Sequence, residues 1–474
     1  ADFVWSLRQA QVAIIVAGCL GMAYTQLTTS AVVIQFARSL GATGLHVGIL
    51  GALPTGMLFM QFIAAFVANR VTYRRPLWAA ANIVQRLSYL PIALGAWLCP
   101  EIPTAVWLWS FLAVAAVEQG LGHFGTPLWM SWMGDYLPHQ GLNEYWGIRH
   151  RWCQYAAAAC MLGCTVFFWS GAVGMIPGFA AIMAFASIAG VVDIAMFRKV
   201  HEPPVTPSQA MGFWQSFVAP LKLPSFRSYI GFMSYWHFAS MVGAPFISLY
   251  LLEYVGMQLW QVLALWTAAW IGGAVFSRQL GNQAELHGNK AVLRICVLLK
   301  PINMLCLMFA PRDPAVAFWA LLPMFMLDAA LNAGFLITNN GFLLKHSPTE
   351  NRTMYVAAGN AIAGMVGGAT AIISGLGLTA MDGLVFPVAG VSLTGYHVLF
   401  AISMLLRLGA IPLVNRIQEP TVHPPMPVFS KQVVVVTVRV YRSIEGTIRS
   451  LRPVPKKTPA LKARKLVPEK ATQV

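Results

Sequence analysis

Four charged side chains stand inside runs that are otherwise apolar. Glu118 lies in "AVAAVEQGLGHFGTPLW" and Asp328 in "MFMLDAALNAG". Arg86 lies in "NIVQRLSYL" and Lys300 in "CVLLKPINM". An ionised side chain at membrane depth costs several kcal/mol, so such residues pair, titrate or meet a ligand. Asp328 follows Glu118 by 210 residues and Lys300 follows Arg86 by 214, so each half of the chain carries one cation and one anion on neighbouring segments. Two readings follow. Arg86–Glu118 and Lys300–Asp328 are braces, each carboxylate kept ionised by its cation. Alternatively Glu118 and Asp328 face a cavity and take a proton or a cationic substrate. A brace that opens on protonation would do both.

The segments that position these residues are membrane spans. The chain has 474 residues, is 57% hydrophobic and 10% charged, and has a mean hydropathy of +0.63. A soluble domain is nearer a quarter charged. Twelve stretches reach the ~20 apolar residues that a helix needs to cross a bilayer. They are 11–37, 45–69, 77–98, 104–133, 152–170, 175–197, 228–253, 259–280, 291–310, 315–341, 354–379 and 396–415. The expected fold is an all-α polytopic membrane protein. Basic residues collect in alternate loops, among them Arg70, Arg74, Arg75, Arg149, Arg151, Arg198, Lys199 and Lys290, whereas the other loops hold little beyond Arg38 and Arg312. That asymmetry places both termini in the cytoplasm. "RKVHEPP" (198–204) and "NRIQEP" (415–420) close matching segments, and Pro138 matches Pro348. The chain therefore reads as two parallel six-span repeats, 1–199 and 227–418, joined by a linker at 200–226 that holds a short amphipathic helix around Phe213–Leu221. The tail, 419–474, is basic: from Gln418 onward eleven Lys/Arg face three Glu. It suits an anionic inner leaflet, with an amphipathic helix expected over 428–451. No nucleic-acid module accompanies the charge. The seven cysteines form no CxxC pair, and neither a disulfide framework, a metal site nor a cofactor is expected. The first apolar run reads as a retained span rather than a cleaved signal.

Within this frame the chain resembles the major facilitator superfamily of secondary transporters. "GNQAELHGNK" (281–290) resembles the superfamily's loop signature through Gly281, Glu285, Gly288 and Lys290. The first-half copy, "ANRVTYRR" (68–75), keeps Arg70 and Arg74 but has Asn69 in place of the acid. "GDYLPHQGLNEYWGIRHR" (134–151) resembles a second loop motif through Asp135, Pro138, Gly147 and Arg149. The resemblance implies two six-helix bundles that rock about a central site. It also implies a latch of loop charges pairing across the bundles, and a cavity lined by spans one, four, seven and ten. Further candidates on those spans are Tyr24 and Gln26; His123; Trp236 and His237; and Asn332. Asp193 and Arg407 fall late in spans six and twelve and are expected to be interfacial or locally paired. Gly48, Gly51, Gly56, Gly364, Gly367 and Gly368 mark surfaces thin enough for close helix packing.

The leading reading is a secondary active transporter, a monomer in the cytoplasmic membrane, moving a small solute by alternating access, with proton coupling as one option. A membrane enzyme is disfavoured, because no nucleophile constellation or histidine cluster is present. A non-transporting assembly or pigment-binding protein on the same fold is the alternative, suited by sixteen Trp. Substrate identity and direction are not legible.

Overall fold

The structure is a computed structural model that describes residues 6–138, 142–205, 212–346, 352–388 and 391–417. Helices dominate. They are α1 (Leu7–Ser39), α2 (Gly44–Ala68), α3 (75–98), α4 (Thr104–Tyr136), α5 (Leu142–Trp169) and α6 (Met175–Met196). After the linker helix α7 (Phe213–Lys222) come α8 (Pro224–Met241, resuming as Ile247–Glu253), α9 (Leu259–His287) and α10 (Asn289–Met308). The series ends with α11 (Pro314–His346), α12 (Arg352–Ala380) and α13 (Gly395–Arg416). Each of the twelve expected spans coincides with a helix or a broken helix. Ten spans among the described residues are long and apolar enough to cross a membrane. The expected spans 77–98 and 228–253 are helical but not among those ten. The first carries Asn82, Gln85 and Arg86, and the second is interrupted at 242–243. Large apolar side chains such as Phe185, Ile188, Trp319 and Ile373 point outward, as a lipid-facing surface requires.

The fold is all-α as expected, with one small addition. An antiparallel ribbon, β1 (Phe386–Val388) and β2 (Val391–Leu393), precedes α13, with Phe386 opposite Leu393. Its alternating Phe, Val and Leu are strand formers. The expected helix at 428–451 lies outside the described residues.

Several helices break inside the bundle. Ser30 leaves the helical region and its hydroxyl caps the second part of α1. Pro54 lacks an N–H, and α2 bends just after it, at Met57–Leu58. α3 breaks at Ser88 and α10 at Lys300–Pro301. Carbonyls near such breaks need other donors in a medium without water. They find them in side chains: Tyr24 donates to the Gln85 carbonyl at 2.8 Å, Tyr250 to Leu307 at 2.8 Å and Tyr235 to Leu406 at 3.0 Å. His123 Nε2 lies 2.9 Å from the Pro54 carbonyl.

The two halves meet along α2 and α12. The glycines bring their backbones together: a Cβ added at Gly48 would lie 2.6 Å from the Ala371 carbonyl, and one at Gly368 2.9 Å from the Gly56 Cα. The Leu45 N–H reaches Thr379 across the same seam at 2.8 Å. α5 packs against α9 as a second contact between the halves.

Candidate functional site

The buried charges do not pair as the sequence suggested. Arg86 turns to α6, where its Nη2 lies 3.1 Å from Asp193 Oδ2, and its guanidinium stacks on the Tyr24 ring at 4.2 Å. The Arg86–Glu118 brace is therefore replaced by Arg86–Asp193. The reason is local: neighbouring residues on a helix point about 100° apart, so Gln85 faces α4 while Arg86 faces α6. Glu118, 2% exposed, accepts from Gln85 Nε2 and Gln119 Nε2, each at 2.9 Å. Among the described residues no cation lies within ion-pair distance of it.

The second half keeps its expected pair. Lys300 Nζ lies 2.7 Å from Asp328 Oδ1. Asn303 and Asn332 donate to the same carboxylate at 2.7 and 3.1 Å. Arg407 is buried rather than interfacial, and its Nη1 donates to Asn303 Oδ1 at 2.9 Å. Asp193 is likewise buried. Asp193 and Arg407 are 214 residues apart, the offset that relates Arg86 to Lys300. The repeat thus builds the same three-helix triad twice with one sign inverted. The first triad, Arg86, Glu118 and Asp193, has one cation and two anions. The second, Lys300, Asp328 and Arg407, has two cations and one anion.

A cavity of about 340 Å3 lies between the halves. Gln26 and Thr28 of α1, Gln119 of α4 and Ser248 of α8 supply its polar wall, and Trp266 and Trp270 of α9 its aromatic one. Tyr89 also borders it. No Asp, Glu, Lys or Arg does, among the described residues. Glu118 touches this space only through Gln119, which both lines the cavity and donates to the carboxylate. The arrangement suits an uncharged polar solute with a face that stacks on indole. Spans one, four and seven line the cavity as expected. Span ten contributes nothing among the described residues, and α2 and α9 take part instead.

The remaining candidates fall elsewhere. Tyr24 and Trp236 are buried, the latter stacked on Phe335 at 5.1 Å. His123 bridges the Pro54 carbonyl and Gln61 Nε2 (3.2 Å), a pattern that a neutral ring with its proton on Nε2 satisfies. His237 packs against Gly367 of α12. Asn332 serves Asp328. The sequence reading passed over Trp266 and Trp270. Their spacing of four residues in "LALWTAAWIGG" puts both on one helix face, and that was the signal.

The following loop-charge contacts each lie within one bundle or between it and the linker. Arg74 Nη1 lies 2.6 Å from Asp135 Oδ2, inside the first half. The backbone N–H groups of Arg74 and Arg75 both donate to Glu202 of the linker segment. Arg70 stacks on Phe66 of its own helix. Lys290 donates to the carbonyls of Asn415 and Ile417, each at 2.8 Å, within the second half. Gly281 has open space where a Cβ would stand, and Gly288 ends α9 at φ +86, a conformation that favours glycine. The Glu285 side chain lies outside the described residues. Arg149 is no loop latch: it lies inside the first half, over Trp129 at 4.8 Å.

Among the described residues an ion pair joins the halves at the opposite end. Arg38 Nε of α1 lies 2.8 Å from Glu253 Oε1 of α8, and Tyr396 of α13 donates to Glu253 Oε2 at 2.6 Å. Both charged side chains are about one-third exposed (33% and 35%), so screening keeps the pair near or below about 1 kcal/mol. Glu253→Gln should accordingly shift the balance between closed and open at this end by no more than roughly five-fold. The rate at which an impermeant thiol reagent labels Thr28→Cys, on a Cys-free background, reports it. A rate unchanged by Glu253→Gln would remove the pair from the gate.

No family model matches the chain, and no curated protein matches it. Solved structures do. A D-xylose–proton symporter superposes with a TM-score of 0.65 at 15% identity, covering 89% of this chain and 100% of its own. A bacterial homologue of the iron transporter ferroportin gives 0.63 at 10% identity, over 87% and 99% of the two chains. The nucleoside transporter NupG gives 0.57 at 14% identity, over 86% and 97%. The likeness is one of fold, and the fold is of the major facilitator type.

Proposed function

We propose that the protein is a secondary transporter. In this reading it carries a small, uncharged, polar solute across the cytoplasmic membrane by alternating access, with both termini in the cytoplasm and one chain as the working unit. The observation that carries the reading is the cavity between the halves, walled by Gln26, Gln119, Ser248, Trp266 and Trp270 and bordered by no ionised side chain among the described residues. Amides and indoles in that arrangement recognise hydroxyls and flat apolar faces together. The fold's likeness to a xylose symporter and a nucleoside transporter supports the same class of cargo.

Glu118 is the proposed coupling group. Among the described residues its closest partners are neutral amides and no cation is within ion-pair distance, so its charge is compensated less well than in a direct ion pair. A proton gained or lost there changes what Gln119 offers: its Nε2 is engaged by an ionised Glu118 and released toward the cavity otherwise.

The test uses protein in proteoliposomes and a panel of labelled neutral sugars and nucleosides. Saturable uptake of at least one is expected. Glu118→Gln mimics the protonated form. It should retain solute exchange while gradient-driven accumulation falls at least ten-fold. Full accumulation by Glu118→Gln would remove the residue from coupling. Binding of no neutral solute would overturn the cargo class.

A further inference from the structure

A second cavity, about 320 Å3, lies within the first half and takes no part in the reading above. It is bounded by α1, α3, α4, α5 and α6. Two guanidinium groups and one carboxylate reach it: Arg86, Arg149 and Asp193. Arg86 and Asp193 answer each other at 3.1 Å. Among the described residues Arg149 has no hydrogen-bond or ion-pair partner, and its guanidinium is stacked over Trp129 at 4.8 Å and Trp146 at 5.4 Å. The Nε of Arg86 and the Nε of Arg149 are both buried without an acceptor among those residues. A buried guanidinium N–H without a partner is costly, and Arg86 is only 9% exposed. The walls are made to fit these groups. A Cβ added at Gly18 would lie 2.7 Å from Arg149 Nη2, and one at Gly21 2.7 Å from Asp193 Oδ2.

We propose that this cavity is a binding site for a small organic monoanion, a planar carboxylate, with Arg149 as its principal partner. Two cations against one anion leave a single positive charge, which one carboxylate neutralises. A phosphate dianion would over-neutralise the cavity and press its second charge against Asp193. The guanidinium fork matches a carboxylate edge. The indoles of Trp78 and Trp129 supply flat walls for the rest of the molecule, and Asn82, Thr25 and Thr126 supply neutral polar groups. The site also has a place on the route, a statement that rests on the transport reading. Helices α1, α4 and α5 line both cavities: Thr25 here and Thr28 there, Thr126 and Gln119, Cys153 and Met161. Offsets of three to eight residues correspond to ~5–12 Å along a helix. A carboxylate held here lies one step from the central cavity, as a co-transported anion.

Binding is tested on the purified full chain in detergent, in chloride-free buffer, so that transport is not required. The probe is benzoate, with benzamide as its uncharged counterpart. Benzoate is expected to raise the melting temperature saturably, and benzamide to leave it unchanged. Arg149→Gln should weaken benzoate at least ten-fold, and Arg149→Lys should weaken it less. Benzoate should also protect Arg149 of the wild-type chain from modification by phenylglyoxal, read by mass spectrometry, a measurement independent of how the variants fold. Equal stabilisation by benzamide, no stabilisation by benzoate, or modification of Arg149 at the same rate with and without benzoate would each overturn the assignment. Competition by chloride at millimolar concentration would reduce it to a site for simple anions. If neutral-solute transport fails while benzoate protects Arg149, the transport reading falls and this site stands.

Discussion

Asp193→Ala is expected to lower unfolding stability by about 3–5 kcal/mol, the usual cost of breaking a buried ion pair from one side. The substitution leaves Arg86, 9% exposed, on the face of Tyr24 with no ion-pair partner among the described residues. Glu118→Gln should cost less than about 1 kcal/mol, because an amide can keep one of the two contacts that Gln85 and Gln119 now make and leaves no cation stranded. Removing both members of the pair, Asp193→Ala with Arg86→Met, should recover most of the loss, since two apolar groups replace two charges. Reversible unfolding in mixed micelles measures all four proteins. Equal losses for Asp193→Ala and Glu118→Gln would restore the Arg86–Glu118 brace.

Gly375→Val should reduce solute exchange at least ten-fold and stability by about 1–3 kcal/mol, the range for forcing extra methyl groups into a packed contact. A Cβ at Gly375 would lie 2.7 Å from the Gly44 carbonyl and 2.9 Å from the Gly48 Cα. Both are backbone atoms, so α2 and α12 must separate along the line where the halves meet. Gly377, two residues on, has open space within 4 Å of where a Cβ would stand, and Gly377→Val supplies the control. It should exchange solute like the wild type. Similar behaviour of the two variants would mean that the seam tolerates separation and that its glycines have no part in the movement.

The sequence made the frame legible. Long apolar runs, loop charge and the 210–217 residue offsets led to helices at every expected span. The glycines of spans two and eleven pointed to a close contact that the structure places between the halves. Pairing was less legible. Whether Arg86 meets α4 or α6 depends on one residue's step around a helix, and spacing alone does not say which neighbouring helix occupies that side. The loop motifs did not foretell that Lys290 donates to the carbonyls of Asn415 and Ile417 at the end of α13. The cavity walls were half visible: Gln26 was singled out for its polarity, while Trp266 and Trp270 were lost among sixteen tryptophans.

The inverted triads have an electrical consequence. Counted over the triads alone, the first carries an excess of one negative charge, on Glu118, and the second an excess of one positive charge, on Arg407; Arg149 stands outside the first triad. The repeat pairs Glu118 with Asp328 and Asp193 with Arg407, so it is the two triads, related about an axis normal to the membrane, that share a depth, and the dipole between them lies near the plane of the bilayer. Membrane voltage does work only on charge displaced along the normal, about 2.3 kcal/mol per elementary charge per 100 mV. In the proposed cycle, rocking the halves would tilt this in-plane dipole without carrying net charge across. Any current in that cycle then counts only what is carried, the solute, a co-transported anion and a proton on Glu118, and with an uncharged solute and no carboxylate present Glu118→Gln should make exchange electrically silent.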